Sequence, residues 1–345
     1  MKYGTRSNGE FGALKKEYID EFLEFGVVVV PELLTTEEID CTRRAFHQDL
    51  LRYGVDHNDL RTTGANLGSL SSTGGAGGIL DLFYPNWRLQ IAEHERIFAT
   101  MTELWRHTYA AQHPDFSHPF GEFDARQGFM YMNRVCYRVP DDLARLHGKK
   151  ASRPLQRSLT PHIDCCPLDM YNSGKEYPRW RPIQCITVLT DNLEENTGGF
   201  EAVLGFHKGF DSYFKHQRLD AGKSNAEPPV CIGDFSPLRM KEDGSLIARY
   251  RHVSVRAGSV IFFDWRIPHA NSYHHRGAYP REAIYTGFLP NVSINQRFAA
   301  EQLRRYRGRL LPTDHWQKSQ TREQYSEHEF TELGKRLMGI IPWNS

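Results

Sequence analysis

The chain has 345 residues, of which 39% are hydrophobic and 25% charged, a composition typical of a globular protein with a substantial core. Its 43 Lys and Arg residues against 42 Asp and Glu leave a formal net charge of +1, so no global charge favours nucleic acid or an anionic membrane as a partner. The apolar run at residues 27–30 is too short to cross a bilayer. Six cysteines without a Cys-x-x-Cys motif predict free thiols in a reducing interior, and therefore a cytoplasmic protein.

The first part of the chain has helical patterns around one short strand. Apolar residues at helical spacing predict a helix over residues 15–25, which Gly26 ends. Residues 27–30, four valines, predict a short buried strand. Thr35 followed three residues later by Glu38 is a capping-box pattern, which predicts the start of a second helix.

Two further stretches complete the N-terminal part. Residues 64–79 are rich in Gly, Ser and Thr, a composition that predicts a mobile loop. No Gly-Lys-Ser or Gly-Lys-Thr follows, so a phosphate-binding loop is not favoured there. Residues 89–110 carry apolar residues at helical spacing and predict a helix.

The middle of the chain changes to strand patterns separated by turn residues. A long polar segment at 207–245 interrupts them and is predicted to be an insertion or a lid. The predicted strands are residues 129–137, 162–164, 184–190, 200–204, 252–255, 260–265 and 282–288.

Many short strands with helices gathered at the ends indicate an α+β fold. We expect a single domain, 1–345, with a double-stranded β-helix (jelly-roll, cupin-like) core at about 127–290. An N-terminal helical part at about 13–110 and a C-terminal helical tail at about 296–345 would flank this core.

His162 and Asp164 are the first candidates for chemistry. Residues two apart on a strand point to the same face, so these side chains converge. A lone His-x-Asp is common and alone indicates no more than a surface salt bridge, but His269 and Arg281 follow in order. Two imidazoles and one carboxylate can hold one face of Fe(II) and leave the other open. Arg binds carboxylates through two parallel hydrogen bonds, and a buried Arg needs an anionic partner.

This combination resembles the phytanoyl-CoA dioxygenase family of Fe(II)/2-oxoglutarate-dependent oxygenases. The resemblance covers roughly residues 15–290, and its specificity lies in the combination of motifs rather than in any single one. The matching stretches are residues 25–31 with 34–39, His162-Ile163-Asp164, residues 196–208, and residues 257–262 leading to His269 and then to Pro280-Arg281.

The resemblance implies a ligand set and a reaction. His162, Asp164 and His269 would hold Fe(II), 2-oxoglutarate would chelate that metal, and O2 would take the last position. Arg281 would bind the far carboxylate of 2-oxoglutarate. The implied reaction hydroxylates an unactivated C–H bond of a small-molecule substrate and releases succinate and CO2. A carboxylate at Asp164, rather than a small residue, favours hydroxylation over halogenation, while desaturation and ring formation stay open.

Asn133 and Thr187 are further candidates, because they lie on strands that flank the metal in the family. Each is predicted to contact 2-oxoglutarate or substrate, with an ordinary polar strand residue as the equal alternative. Two other functions stay open: a metal-dependent jelly-roll enzyme without 2-oxoglutarate, and a non-catalytic binding protein on the same fold. No nucleic-acid or membrane partner is expected, and the oligomeric state is not predicted.

Overall fold

Helices and short strands are interspersed along the chain in the computed structural model. Part of the predicted helical tail, 313–326, lies outside the described residues. The structure describes residues 14–150, 153–168, 177–219, 229–312 and 327–343, with no side-chain placement given for 216–219.

Twelve strands lie within these residues: β1 (Val27–Val30), β2 (Ile79–Leu80), β3 (Gly128–Met130), β4 (Val135–Arg138), β5 (His162–Ile163), β6 (Ile183–Val188), β7 (Phe200–Ala202), β8 (Ser236–Pro237), β9 (Arg251–His252), β10 (Val260–Asp264), β11 (His269–Asn271) and β12 (Arg281–Pro290). The α-helices are α1 (Lys16–Phe25), α2 (Thr36–Arg52), α3 (Leu60–Thr63), α4 (Asn86–Ala92), α5 (Glu95–His107), α6 (Asp141–Leu146), α7 (Phe206–Asp211), α8 (Met240–Ile247), α9 (Ser293–Arg307) and α10 (Glu332–Leu337). Two 3-10 helices (Gly64–Leu70 and Pro114–Phe116) and one π-helix (Ser212–Leu219) also lie within the described residues. In the part of the chain described, no helix is both long and apolar enough to span a bilayer.

The two N-terminal helices confirm their predicted boundaries. Gly26 ends α1 with a φ of 65°, a left-handed conformation that glycine adopts without a steric penalty, and its amide donates to the Phe22 carbonyl. At the start of α2 the capping box is complete. The Glu38 amide donates to Thr35 Oγ1 at 3.2 Å, and the Thr35 amide donates to the Glu38 carboxylate at 2.7 Å.

Three predicted elements differ from the structure. The stretch 64–79 contains a 3-10 helix and leads into β2, so it is not entirely loop. The helix predicted at 89–110 is two helices, because the chain breaks between α4 and α5. The strand predicted at 129–137 is divided into β3 and β4. Between them the Asn133 side chain accepts a hydrogen bond from the Arg134 amide at 2.8 Å, so this amide bonds locally and not across the sheet.

The strands form two antiparallel sheets. The larger has seven strands in the order β1-β10-β6-β12-β4-β2, with β3 also paired to β12. The smaller has five strands in the order β8-β5-β11-β7-β9. Mixed helices and antiparallel sheets agree with the predicted α+β class.

The register of the large sheet separates two faces with different neighbours. Residues paired across an antiparallel ladder share a face, and successive residues alternate. Glu282 faces α2, where Arg43 binds its carboxylate through two hydrogen bonds of 3.0 Å. Gln184, which is paired with Phe263, lies on the opposite face and hydrogen-bonds Asp164 of the small-sheet side. We call this second face the inner face.

One cysteine pair corrects the prediction of free thiols. Cys166 and Cys231 form a disulfide, so the prediction is wrong for these two residues. The bond joins the loop two residues after Asp164 to the segment that leads into β8. Cys41, Cys136, Cys165 and Cys185 remain free thiols. Sequence spacing gave no indication of this pair, because 65 residues separate its members.

Replacing Cys231 tests this cross-link. Cys231→Ser is expected to lower the free energy of unfolding by about 2–4 kcal/mol, because the unfolded chain regains the entropy of a 65-residue loop. Chemical denaturation without reductant measures the change, with Cys41→Ser as the control that removes a free thiol. An unchanged unfolding free energy together with six titratable thiols in the unfolded wild type would contradict the disulfide.

Candidate metal centre

Three of the predicted residues come together between β5 and β11. His162 and His269 are directly paired across these strands, and Asp164 follows β5. The His162 Nε2 atom lies 3.7 Å from Asp164 Oδ1, and His269 Nε2 lies 3.4 Å from Asp164 Oδ2. One donor atom from each side chain lies within 4.8 Å of the other two. The structure thus brings a His, Asp and His group to one point.

The other nitrogen of each imidazole fixes its tautomer. His162 Nδ1 lies 2.8 Å from the Thr160 carbonyl oxygen, and His269 Nδ1 lies 2.9 Å from the Ile267 carbonyl oxygen. Since a carbonyl only accepts, both Nδ1 atoms carry the hydrogen, and both Nε2 lone pairs face Asp164. Metal-binding histidines are usually oriented by such a bond from the second nitrogen. The donor set therefore fits a divalent transition metal.

The protonation states also suit metal binding. Burial is the largest cause that lowers the pKa of His269, to about 4, with the neighbouring His162 as the next cause. Burial alone would raise the pKa of Asp164, but His269, His162 and Arg181 together hold it at about 2. At neutral pH His269 therefore offers a neutral imidazole and Asp164 a carboxylate, the forms that bind a metal ion.

Aromatic rings enclose both imidazoles. The Phe235 ring lies 5.0 Å from the ring of His162, and Phe200 and Phe263 lie 5.6 and 4.7 Å from that of His269. Both histidines are only 6% exposed. Apolar walls of this kind limit the access of water and fix the ring orientations.

Residues that the sequence analysis missed support Asp164 from behind. Gln184 donates a hydrogen bond to the Asp164 carboxylate, and Arg181 donates one to the side-chain amide oxygen of Gln184 at 2.6 Å. Asp234 accepts from Arg181 at 3.4 Å and from Arg179 at 3.2 Å. The available sequence signal was a glutamine in the predicted strand 184–190, which overlaps β6, and all six residues of β6 are buried.

Arg281 lies on the inner face at the start of β12. The alternation from Gly287, the partner of Gln184, places Arg281 on the same face as Gln184. Its side chain is buried, with 3% of the residue exposed, and Nη1 donates to Cys136 Sγ at 3.1 Å. Among the described residues, no carboxylate lies within ion-pair distance of this guanidinium. A buried cation of this kind is suited to an anionic ligand.

Thr187 and Asn133, the other two predicted contacts, have hydrogen-bond partners of their own. Thr187 is paired with Ile284 and hydrogen-bonds Thr286 at 2.8 Å, which places it on the face opposite Gln184. This position does not support a contact with 2-oxoglutarate. The Asn133 side chain is engaged with the Arg134 amide, and its proposed ligand contact stays a prediction.

A second group with metal-binding side chains lies on the opposite face of the large sheet. His47, His57 and Glu282 also have donor atoms within 4.8 Å of one another. However, Arg43 occupies both oxygens of Glu282, and His57 Nδ1 lies 2.6 Å from the Tyr137 hydroxyl. Because the guanidinium already neutralises this carboxylate, the group is a poor site for a divalent cation.

Comparisons with known proteins identify the fold. No family profile and no curated protein matches the sequence. The solved structure of GIG2 (DUF1479) from Candida albicans superposes with a TM-score of 0.69 at 13% identity, covering 97% of this chain and 79% of that one. The hypothetical protein JW0805 from Escherichia coli gives a TM-score of 0.67 at 13% identity, covering 95% and 83%.

These two similarities show a shared fold and nothing about activity. HygX from Streptomyces hygroscopicus, solved with nickel and 2-oxoglutarate bound, gives a TM-score of 0.45 at 16% identity, covering 81% of this chain and 88% of that one. A likeness at that level supports no assignment. The resemblance to the phytanoyl-CoA dioxygenase family therefore stays a prediction.

Metal titration separates the two candidate groups. The wild type is expected to bind one Mn(II) per chain, and His269→Ala should weaken binding more than about 100-fold, because losing a direct ligand costs more than losing a supporting partner. His47→Ala should bind as the wild type does. Isothermal titration calorimetry measures all three proteins, and unchanged binding by His269→Ala would place the metal elsewhere.

Proposed function

We propose that this protein is a non-haem Fe(II)- and 2-oxoglutarate-dependent oxygenase that hydroxylates a C–H bond of a small molecule and releases succinate and CO2. The observation that carries the proposal is the pairing of two features on facing sheets. The His162, Asp164 and His269 group offers a three-ligand metal face, and Arg281 is a buried cation without a carboxylate partner in the described chain.

We infer that the two sheets form a double-stranded β-helix. β5 and β11 of the small sheet carry the two histidines, and the inner face of the large sheet carries Gln184 and Arg281. A ligand that reaches from the metal group toward Arg281 would therefore lie between the sheets. This arrangement suits a short dicarboxylate whose one end chelates a metal and whose other end binds an arginine.

The protein's own residues would bind, orient and shield the reactants. His162, His269 and Asp164 would fix the metal on one side and leave the opposite side for 2-oxoglutarate and O2. A bound Fe(II) centre supplies the activation of O2 that accompanies oxidative decarboxylation of 2-oxoglutarate. The Arg281 guanidinium would anchor the far carboxylate, while Phe200 and Phe263 exclude water beside His269.

Two alternatives differ from this proposal in measurable ways. A metal-dependent enzyme without 2-oxoglutarate would not use Arg281 to bind this cosubstrate. Activity in 2-oxoglutarate-free solution would favour this alternative. A non-catalytic binding protein would keep the fold without turnover, and failure to bind Fe(II) or Mn(II) would favour it. The hydrogen bonds from Nδ1 that orient both histidines for metal binding count against a non-catalytic binding protein.

Arg281 tests the role of the cosubstrate. Arg281→Leu is expected to raise the KM for 2-oxoglutarate at least about 30-fold, because a buried carboxylate would lose its charged partner. Arg281→Lys should have a smaller effect, since a lysine keeps the charge and loses the paired geometry. Succinate formation at varied 2-oxoglutarate concentration measures both variants.

The same variants should keep the metal affinity of the wild type, because Arg281 lies outside the three-ligand group. Calorimetric titration with Mn(II) provides this control. An unchanged KM for 2-oxoglutarate in Arg281→Leu would remove Arg281 from the cosubstrate site.

A further inference from the structure

The two carboxylate oxygens of Asp164 have different surroundings. Gln184 Nε2 donates a hydrogen bond to Oδ2, the oxygen that lies 3.4 Å from His269 Nε2. Within the part of the chain that the structure describes, no hydrogen bond reaches Oδ1, which lies 3.7 Å from His162 Nε2. One oxygen is therefore fixed by the Gln184 amide beside His269, and the other lies beside His162.

Arg181 determines which end of the Gln184 amide faces Asp164. Its Nη1 donates to Gln184 Oε1 at 2.6 Å. A guanidinium has donors and no acceptor, so the amide oxygen must face Arg181 and the NH2 group must face the carboxylate. The reversed amide would oppose two donors at one end and two acceptors at the other. The amide orientation is thus fixed by its neighbours.

Arg181 is itself held in place. Its Nη2 lies 3.4 Å from Asp234 Oδ2, and its guanidinium lies 4.7 Å from the centre of the Tyr131 ring. Arg179 contacts the same carboxylate and the same ring. A chain of contacts therefore runs from Asp234, before β8, through the inner face of the large sheet to the candidate metal group.

We propose that Gln184 is a positioning residue that makes Asp164 a single-oxygen metal ligand. This inference rests on the proposed function, because it takes the three-residue group as the metal site. With Oδ2 bonded to the amide, Asp164 presents Oδ1 to a metal ion. A carboxylate that binds through one oxygen leaves the opposite face of the metal free for 2-oxoglutarate and O2.

Gln184 has a second effect, since it separates two opposite charges. Arg181 Nη2 lies 4.0 Å from Asp164 Oδ1, with the Gln184 amide bonded to both side chains. Without the amide, the guanidinium would close on the carboxylate and form a direct ion pair. That ion pair would compete with the metal ion for Oδ1.

The test uses the full-length protein and Mn(II) alone as the probe. Gln184→Leu is expected to weaken Mn(II) binding about 10- to 100-fold, the range found when a partner of a metal ligand is removed. Cys185→Ala is the matched control, because Cys185 is the next residue of β6 and bonds Thr286 on the opposite face. The control should keep the wild-type Mn(II) affinity, and thermal unfolding of both variants checks that they are folded.

A double variant tests the charge separation directly. In Gln184→Leu combined with Arg181→Met, the Arg181 guanidinium can no longer pair with Asp164, so Mn(II) binding should be several-fold tighter than in Gln184→Leu alone. A general packing defect would instead weaken binding further. Binding no tighter than in the single variant would overturn the charge-separating role.

The outcomes distinguish this inference from the proposed function. A wild type that binds no Mn(II) would overturn both. A wild type that binds, with a folded Gln184→Leu variant that binds equally well, would overturn only the role of Gln184. If Gln184→Leu does not fold, Asp234→Asn tests the same series of contacts, because Asp234 holds Arg181 and Arg181 holds Gln184. That variant should weaken Mn(II) binding several-fold, and unchanged binding would overturn the inference.

Discussion

The carboxylate of Asp164, whose side chain is 14% exposed, is the constraint on which the site depends. A carboxylate in an apolar interior is costly unless it is paired or hydrogen-bonded. Here the compensation comes from Gln184 on β6, which donates a hydrogen bond, and from Arg181 before that strand, while the imidazoles on β5 and β11 direct their Nε2 atoms toward the same carboxylate. Because these groups meet at one side chain, the charge requirement of Asp164 ties both sheets together at the candidate metal group.

The register of the large sheet decides which chemistry each face can carry. Arg281 and Glu282 are neighbours in sequence, yet the first lies on the inner face and the second is bound by Arg43 of α2. A shift of one residue in β12 would exchange them and bury the wrong charge on each side. Outer contacts such as the Arg43–Glu282 pair therefore favour the register that places Arg281 inside. The same alternation removes Thr187 from the site.

Local patterns in the sequence predicted local structure well. Gly26 and the Thr35–Glu38 box fixed helix boundaries, and His162, Asp164 and His269, which spacing and residue type had suggested, lie together in the structure. What the sequence did not reveal depends on distant contacts. The Cys166–Cys231 bond joins residues 65 apart, and Asp234 is linked to Asp164 through Arg181 and Gln184. Gln184 was missed because its role appears only when β6, paired with β10 and β12, brings this side chain to Asp164.

The most direct test of the central claim is an anaerobic absorbance titration of the apo protein with Fe(II) and then with 2-oxoglutarate. If His162, Asp164 and His269 hold a metal ion that 2-oxoglutarate chelates, a broad visible charge-transfer band should appear only when both are present. Its intensity should saturate at one Fe(II) per chain. Fe(II) binding without the band would remove 2-oxoglutarate from the mechanism, and the absence of Fe(II) binding would contradict the account of the site.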